Sequence, residues 1–182
     1  MILASRSPQR AAILTRLGVD FSVRVSGAEE LEKGDPGELT VENASRKARA
    51  VAAPGAGETV IACDTVVSLD GRIYGKPEDS EQAREMLQAL AGRTHEVTSG
   101  LVVLTGGEER TAIAHTEVSF RAMGRRMLEW YLDSGEWRER AGGYAIQGAG
   151  AALVRDIHGE YENVVGLPVA SLLDVYPQLL GG

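Results

Sequence analysis

A carboxylate inside an apolar run constrains this chain more than any other feature. The run opens the stretch from Val60 to Asp79, which reads VIACDTVVSLDGRIYGKPED. This stretch predicts a strand, a two-residue turn at Asp70-Gly71, where both residues favour positive φ, and a short return strand that leads to Lys76. Asp64 lies inside the first strand. Because an unpaired buried carboxylate costs several kcal/mol, we expect a cation, either a metal ion or a lysine, to face it.

The composition is that of one large domain or two small lobes. The chain has 182 residues, of which 43% are hydrophobic and 25% are charged, as is ordinary for globular proteins. Its apolar runs are much shorter than the ~20 residues that cross a bilayer. The start, MILASRSPQR, is not typical of a signal peptide. With Cys63 as the single cysteine, an internal disulfide is excluded. We therefore expect a cytoplasmic protein without a membrane partner.

The net charge restricts the class of ligand. At −7 it argues against nucleic acid as a partner, because proteins that bind nucleic acid present a basic surface. A small anion remains possible, since a local group of cations can bind an anion on a protein that is acidic overall. The sequence must therefore be searched for such a local group.

The N-terminal segment predicts a short strand followed by a capped helix. Ser7 is a favourable N-cap, and Pro8 suits the first helical position. Together with the free N–H groups of the first turn, Ser5, Ser7 and Arg10 would form an anion site. The alternative is an ordinary capped helix with a solvated arginine, and this segment taken alone favours that alternative.

Two further segments carry charges that could face the buried carboxylate. Apolar residues recur at helical spacing from Val41 to Val51, and Lys47 flanks their buried face. The simpler interpretation is a lysine whose stem covers the core while its ammonium stays in water. The acidic segment from Ser26 to Gly37 is a solvated loop by default. The sharper alternative is that Glu29 or Glu30 faces a metal ion.

The remaining chain predicts the fold class. Pro54 to Gly57 indicates a break before the central hairpin, and two long strands are predicted at Thr94 to Thr105 and Arg110 to Phe120. These strands carry His95 and His115, which lack the spacing of metal ligands and are interpreted as structural or surface residues. Strands and helices alternate in the first half, while the middle strands look antiparallel. The pattern therefore predicts an α/β fold with a mixed sheet.

Common catalytic motifs are absent. The segment from Gly71 to Pro77 lacks the spacing and the Ser/Thr of a phosphate-binding P-loop, and Cys63 within an apolar strand is far more often a packing residue than a nucleophile. The glycine-rich segment from Gly142 to Gly150, which carries Gln147, indicates backbone that passes close to another strand or a ligand. What remains are cations and hard carboxylates, which suit a phosphate ester with Mg²⁺ or Mn²⁺. These residues are Arg10, Lys47, Lys76, Asp64 and Glu30.

Motifs along nearly the whole chain resemble the Maf (septum-formation-inhibitor) family of nucleoside triphosphate pyrophosphatases. They read LASRSPQRAAIL, CDTVVSLDGRIYGKPED, MLQALAGRTHEVTSG, TEVSF, GGYAIQGAGA and ENVVGLP, with a lysine-alanine pair at Lys47-Ala48. The resemblance implies hydrolysis of a nucleoside triphosphate between its α and β phosphorus atoms, which gives a monophosphate and pyrophosphate. It also implies a divalent cation (Mg²⁺, Mn²⁺ or Co²⁺), a cytoplasmic location and commonly a homodimer.

The same resemblance implies an architecture and a set of roles. The fold would be one α/β domain over residues 1–182, with a mixed twisted sheet, flanking helices and two lobes around a central cleft. Asp64 matches the family's proton acceptor, and Glu30 falls where the family has an acidic residue, so both are expected to bind the metal. The negative charge of the triphosphate would be neutralised by three cationic side chains, those of Lys47, Lys76 and Arg10. Substrate would be bound by Ser5, Ser7 and Arg10.

Base choice in the resembling subfamilies tracks three positions, here Gln9, Thr65 and Gln147. Thr65 and Gln147 are similar to the branch that prefers dTTP and UTP. Gln9 departs, because that branch has arginine before the arginine matched by Arg10, and Ser99 stands where threonine is usual. The preferred base therefore stays open.

Two other functions are compatible with the sequence. One is a non-catalytic regulator of cell division, in which a nucleotide only biases a protein interface. The other is the same hydrolysis directed at modified or non-standard nucleotides, a pool-cleaning role. Asp64, Lys47 and Lys76 together favour an enzyme, because a sensor needs no group to activate water.

Overall fold

The structure, a computed structural model that describes residues 1–52 and 57–181, alternates strands and helices. Its strands are β1 (Ile2–Leu3), β2 (Ser22–Val23), β3 (Val60–Leu69), β4 (Arg72–Tyr74), β5 (Thr94–Thr105), β6 (Glu108–Phe120) and β7 (Val154–His158). Its α-helices are α1 (Pro8–Arg16), α2 (Pro36–Val51), α3 (Ser80–Leu90), α4 (Arg125–Ser134), α5 (Tyr161–Val165) and α6 (Val169–Val175). The break predicted at Pro54 to Gly57 lies, apart from its last residue, outside the described residues.

The sheet is mixed, as the sequence predicts. Among the described residues, seven strands pair in the order β2-β1-β3-β5-β6-β7, with β4 paired to β3. Strand β1 is parallel to β2 and β3, and Ile2 lies opposite Val60. The pairs β3–β4 and β6–β7 are antiparallel. Together with the flanking helices, these pairings confirm the α/β class.

Contacts divide the chain into two compact units. The first contains Met1–Thr65, Ser99–Ala114 and Gly166–Gly182, and the second contains Val66–Thr98 and His115–Val165. Strand β3 leaves the first unit after Thr65. A single domain with a cleft between two lobes stays a prediction. None of the described helices combines the length and the apolar character needed to cross a membrane.

Two local features of the sequence are confirmed. Ser7 is the N-cap of α1 and Pro8 is its first helical residue. The hairpin turn between β3 and β4 has φ values of 51° at Asp70 and 75° at Gly71, which is the backbone that an Asp-Gly pair favours. The hairpin therefore forms where predicted and delivers the segment with Lys76.

Helix α2 lies very close to the sheet in the first unit. Its buried face carries the small residues Ala44 and Ala48, which pack against apolar side chains of β1, β3 and β5. At Gly100 on β5 the helix backbone itself is the neighbour, since a Cβ added there would lie 2.2 Å from the backbone nitrogen of Val41. The small side chains and this glycine thus fix how near α2 can come to β3 and β5.

The core of the second unit contains a buried histidine. His95 is 2% exposed, and its Nε2 lies 2.9 Å from the hydroxyl oxygen of Tyr144. The ring packs edge-on against Phe120 and Tyr144. Burial lowers the pKa of His95 to about 4. His95 is therefore structural, as predicted, while His115 is exposed on β6.

We expect His95 to make stability depend on mildly acidic pH. The unfolded chain binds a proton at this ring near the ordinary pKa of 6.5, but the folded chain binds it only near 4. The unfolded state therefore holds more protons in this window, and the free energy of unfolding should fall as pH drops from about 6.5 to about 4. The contribution lost is at most about 3 kcal/mol. Urea unfolding at several pH values measures it.

The matched variants for this measurement are His95→Leu and His158→Gln. His95→Leu should lower stability at neutral pH, because Tyr144 loses a partner, but it should remove most of the pH dependence above pH 4. His158 is exposed, so His158→Gln should retain that dependence. An equally steep loss of stability in His95→Leu and the wild type would show that another group is responsible.

Candidate functional site

Asp64 lies on β3 in the first unit and faces helix α2. The ammonium of Lys47 donates to Asp64 Oδ1 at 2.6 Å, and the amide of Asn43 donates to Asp64 Oδ2 at 3.0 Å. All three side chains are buried. A lysine therefore faces Asp64, which is one of the two cations expected there, and the interpretation of Lys47 as a solvated lysine is wrong. Removing either charged partner would leave a buried charge, at a cost of about 3–5 kcal/mol.

The local sequence of α2 explains this arrangement. Asp35 accepts hydrogen bonds from Gly37 and Glu38 and caps the helix, which begins at Pro36. Asn43 and Lys47 are four residues apart, so they lie on one face, one turn above the other. Their donors therefore reach the two oxygens of a single carboxylate.

The acidic segment before α2 is attached to the same group. Glu30 Oε1 lies 3.1 Å from Lys47 Nζ. The Asn43 side chain accepts from the backbone N–H of Leu31 at 2.7 Å and donates to the carbonyl of Leu31 at 3.0 Å. Of the two glutamates left open by the sequence, Glu30 is the one whose side chain lies in this cluster.

Arg10 forms a second cluster in the first unit. Its guanidinium donates to the carbonyl of Gly166 at 2.7 Å, to Ser5 Oγ at 3.2 Å and to Thr65 Oγ1 at 3.1 Å. The side chain is only 9% exposed, so the interpretation as a solvated arginine is wrong. Within residues 1–52 and 57–181, no carboxylate lies within ion-pair distance of Arg10. The hydrogen-bond partners given above for this guanidinium are all neutral, so no carboxylate there offsets its positive charge, which favours an anionic ligand.

Consecutive residues of β3 connect the two clusters. Asp64 contacts α2, whereas Thr65 contacts Arg10 of α1 and shares a hydrogen bond of 2.8 Å with Ser99. Successive side chains of a strand point to opposite faces, so the carboxylate and the guanidinium contact β3 from its two sides. The site is therefore two clusters at one point of a strand.

The serines predicted to bind substrate surround the start of α1. Ser7 Oγ accepts from the N–H of Arg10 at 3.5 Å and donates to Gln9 Oε1 at 3.2 Å. Ser5 Oγ accepts from the N–H of Ser7 at 3.1 Å. The structure thus brings these two serines, Gln9 and Arg10 together, and Thr65 joins them through the guanidinium.

Two predicted site residues, Lys76 and Gln147, belong to the second unit. The ammonium of Lys76 lies 3.1 Å from Glu139 Oε2, and its side chain is 56% exposed. An exposed pair of this kind contributes little stability, so it could exchange for another anion at small cost. Gln147 is exposed and lines a cavity of about 300 Å³ with Glu136 and Arg138. The roles of Lys76 and Gln147 stay predictions.

The carboxylates of the first unit fit a divalent metal only if other groups complete its ligands. Within the described ranges, no group of three or more His, Cys, Asp or Glu side chains could hold a metal ion. Asp64 and Glu30 supply two hard carboxylates around one ammonium. Mg²⁺ commonly uses one or two carboxylates and completes its ligands with water and substrate phosphates. The donor set therefore fits a metal that arrives with a phosphate ligand, and it does not fit a closed protein cage.

Two groups of the site escaped the sequence reasoning. Asn43 could have been found, because it precedes Lys47 by one helical turn and a polar residue on a buried face calls for a partner. Gly166 contributes only a backbone carbonyl, which accepts from Arg10 and from the buried thiol of Cys63 at 3.4 Å. No side-chain pattern signals such a group. Burial raises the pKa of Cys63, which agrees with a packing role.

Comparisons with known proteins give one consistent result. A family model described as Maf-like protein matches residues 1–179. A Pyrococcus furiosus protein is 45% identical over 175 residues, which are 95% of this chain and 92% of the relative. A Thermococcus gammatolerans protein is 46% identical over 93% of this chain and 91% of its own length. A Symbiobacterium thermophilum protein is 41% identical over 100% of this chain and 97% of its own length. Each of the three is named dTTP/UTP pyrophosphatase.

Proposed function

The chain belongs to the Maf-like protein family, and on this premise we propose that it is a nucleoside triphosphate pyrophosphatase. The reaction would cleave the bond between the α and β phosphates and release a monophosphate and pyrophosphate. Relatives that match nearly the whole chain carry the name dTTP/UTP pyrophosphatase. The observation that carries the proposal is that consecutive residues of β3 contact two different groups. Asp64 is held by two donors on one side of the strand, and Thr65 on the other side accepts from a buried guanidinium that has no carboxylate partner among the described residues. The proposal therefore requires an extended triphosphate that reaches both sides of the strand.

Asp64 would act as the general base. One donor at each of its oxygens, Lys47 on one side and Asn43 on the other, fixes the plane of the carboxylate. Each oxygen keeps a second lone pair, so the group can still accept a proton from a water molecule. A base held in one orientation before substrate arrives needs little reorganisation when the proton moves.

Cations would stabilise the charge of the triphosphate and of the departing pyrophosphate. Arg10 supplies a buried guanidinium with no carboxylate partner among the described residues, and Ser5 and Ser7 supply hydroxyls beside it. Lys47 and Lys76 supply ammonium groups, each held by a glutamate. In phosphoryl transfer such electrostatic stabilisation and positioning account for most of the catalysis.

Asp64 and Glu30 are the residues that would hold a divalent cation. When bound there, Mg²⁺, Mn²⁺ or Co²⁺ would neutralise phosphate charge and acidify water. Lys47 contacts both carboxylates, so it keeps them close together before a cation arrives. Lys47 thus has two tasks in this proposal, to orient the base and to hold Glu30 near it.

The substrates that we propose are dTTP and UTP. The names of the relatives support this choice. The family resemblance adds support through Thr65 and Gln147, the two positions that are similar to the branch that prefers dTTP and UTP. Gln9 is the residue that departs from the branch, and here it accepts a hydrogen bond from Ser7 next to Arg10. A cytoplasmic location and a homodimer are implied by the family resemblance and stay predictions.

We expect pyrophosphate release from a triphosphate only when a divalent cation is present. The purified protein is assayed with dTTP, UTP, the other standard triphosphates and modified triphosphates, each with Mg²⁺, Mn²⁺ or Co²⁺ and each with excess chelator. Chelator should reduce release to the background rate, because without the cation the negative charges of Asp64, Glu30 and the phosphates would repel one another and no metal would acidify the attacking water. Chromatography must show equal amounts of monophosphate and pyrophosphate.

The same panel separates the competing functions. Nucleotide binding without any monophosphate, with all three metals, would favour the regulator of cell division over the enzyme. Release of inorganic phosphate instead of pyrophosphate would place the cleaved bond elsewhere and contradict the proposed reaction. Turnover of modified triphosphates well above that of dTTP and UTP would replace the proposed substrates by a pool-cleaning role.

A further inference from the structure

Asn43 is an uncharged side chain that holds both parts of the acidic cluster. It is 1% exposed and makes three hydrogen bonds. Its Nδ2 donates to Asp64 Oδ2 and to the carbonyl of Leu31, each at 3.0 Å, and its Oδ1 accepts from the N–H of Leu31 at 2.7 Å. Both amide protons and the amide oxygen are therefore in use.

The two bonds with Leu31 form a closed pair. Asn43 gives and receives one hydrogen bond with the backbone of a single residue, as two paired strand residues do. Leu31 itself is exposed, so its side chain provides little anchoring. This part of the segment before α2 is thus held by the Asn43 amide, by Glu30, which pairs with Lys47, and by Arg46, which donates to the carbonyl of Glu29 at 3.4 Å.

We propose that Asn43 is a positioning residue that sets Asp64 and Glu30 relative to each other. One amide nitrogen bridges an oxygen of Asp64 and the carbonyl of the residue after Glu30, so a movement of the Asp64 carboxylate or of the backbone that carries Glu30 must break a bond to the same group. This inference rests on the proposed function for its effect on catalysis, but its structural part concerns contacts that need no substrate.

Lys47 cannot replace Asn43 in this task. Its ammonium reaches one oxygen of each carboxylate, and an ammonium on a flexible stem accepts many directions of approach. The planar amide of Asn43 fixes direction as well as distance. Without it, Asp64 could rotate about its contact with Lys47, and misplacement of a reacting group by about 1 Å can reduce the rate about 100-fold.

Asn43→Asp and Asn43→Ala separate the two roles of Asn43, which are to orient Asp64 and to anchor the backbone at Leu31. The aspartate variant would keep an acceptor for the N–H of Leu31 but lose both donors, and it would add a second carboxylate beside Asp64. The uncharged Asn43→Ala is therefore the variant whose kcat and KM report on positioning. We expect its kcat per folded molecule to fall about 10- to 100-fold while KM changes less than about threefold, because substrate contacts are unaltered. Asn43→Ala should also lose protection of the Leu31 amide in hydrogen exchange. Asn43→Asp should retain most of that protection.

Controls make the outcome decisive. Glu38→Gln changes an exposed residue of the same helix and should leave both readouts unchanged. If Asn43→Asp does not fold, Asn43→Ser replaces it, because serine is neutral and small. A purely structural role would lower the melting temperature without changing kcat per folded molecule, and that result would overturn the proposal. So would unchanged exchange of the Leu31 amide in Asn43→Ala.

The exchange measurement also stands apart from the proposed function. It is made on the protein without nucleotide, so it reports on the Asn43–Leu31 pair whatever reaction the protein catalyses. If the wild type releases no pyrophosphate from any triphosphate, the proposed function fails. If the wild type is active but Asn43→Ala keeps its kcat, only the positioning role fails.

Discussion

Asp64→Asn is expected to reduce pyrophosphate release at least about 100-fold, and up to about 10,000-fold. The change removes the group that would receive the proton from water while it keeps the size of the side chain. Steady-state turnover with dTTP and a saturating divalent cation measures the effect. Binding of a non-hydrolysable triphosphate analogue should remain detectable, because the Arg10 cluster is unchanged.

The fold of this variant must be checked, because the introduced asparagine would meet two donors. Lys47 and Asn43 both donate to the present carboxylate, so the new amide group would point its own N–H donors at one of them. An unpaired buried donor of this kind costs about 1–3 kcal/mol. Rates are therefore normalised to the folded fraction from urea unfolding.

Asp70→Asn provides the matched control. It makes the same chemical change in the same hairpin, at an exposed turn residue where asparagine also accepts positive φ. We expect near-normal turnover and stability. Near-normal turnover in Asp64→Asn, with the protein folded, would remove Asp64 from the role of base.

Gly100→Ala is expected to destabilise the first unit more than an ordinary surface change. Its new Cβ would lie 2.2 Å from the backbone nitrogen of Val41 and 2.6 Å from the carbonyl oxygen of Thr40. Backbone atoms of a packed helix cannot rotate away as a side chain can, so α2 must shift as a whole. Overpacking of this kind costs about 1–3 kcal/mol or more. Thermal unfolding should show a melting temperature lower by up to about 10 °C.

The same variant should lose activity even where it is folded. Helix α2 carries Lys47 and Asn43, so a shift of the helix moves both donors away from Asp64. Gly27→Ala is the control, because an added Cβ at Gly27 meets nothing within 4 Å and its backbone does not require glycine. Equal stability of the two variants would show that the approach of α2 to β5 is looser than these distances imply.

The sequence predicts the local features of the site because their signals are local. The turn at Asp70-Gly71 follows from the backbone preference of two residues, and the cap of α1 follows from Ser7 and Pro8. The need for a cation at Asp64 follows from burial alone, although the choice between a lysine and a metal does not. Whether a lysine can reach Asp64 depends on how near α2 packs against β3, and that distance is set by the tertiary structure.

Other features of the site have no signal along the chain. Gly166 contributes a carbonyl to Arg10 from a position 156 residues further along, and every residue has such a carbonyl. Asn43 becomes important only because Leu31 and Asp64 meet at its side chain. The close approach at Gly100 depends on the backbone of another element. Such contacts arise from the packing of distant segments, which periodicity and caps do not specify.

The alignment of β3 with its parallel neighbour has a chemical consequence. Strand β1 consists of Ile2 and Leu3, and its hydrogen bonds with β3 place Ile2 opposite Val60. A slip of β3 by one residue would turn every side chain to the other face, so that Asp64 would point at the arginine and Thr65 at the lysine. The pairing of Ile2 and Leu3 with β3 thus contributes to fixing the face of the sheet on which the Asp64 carboxylate lies.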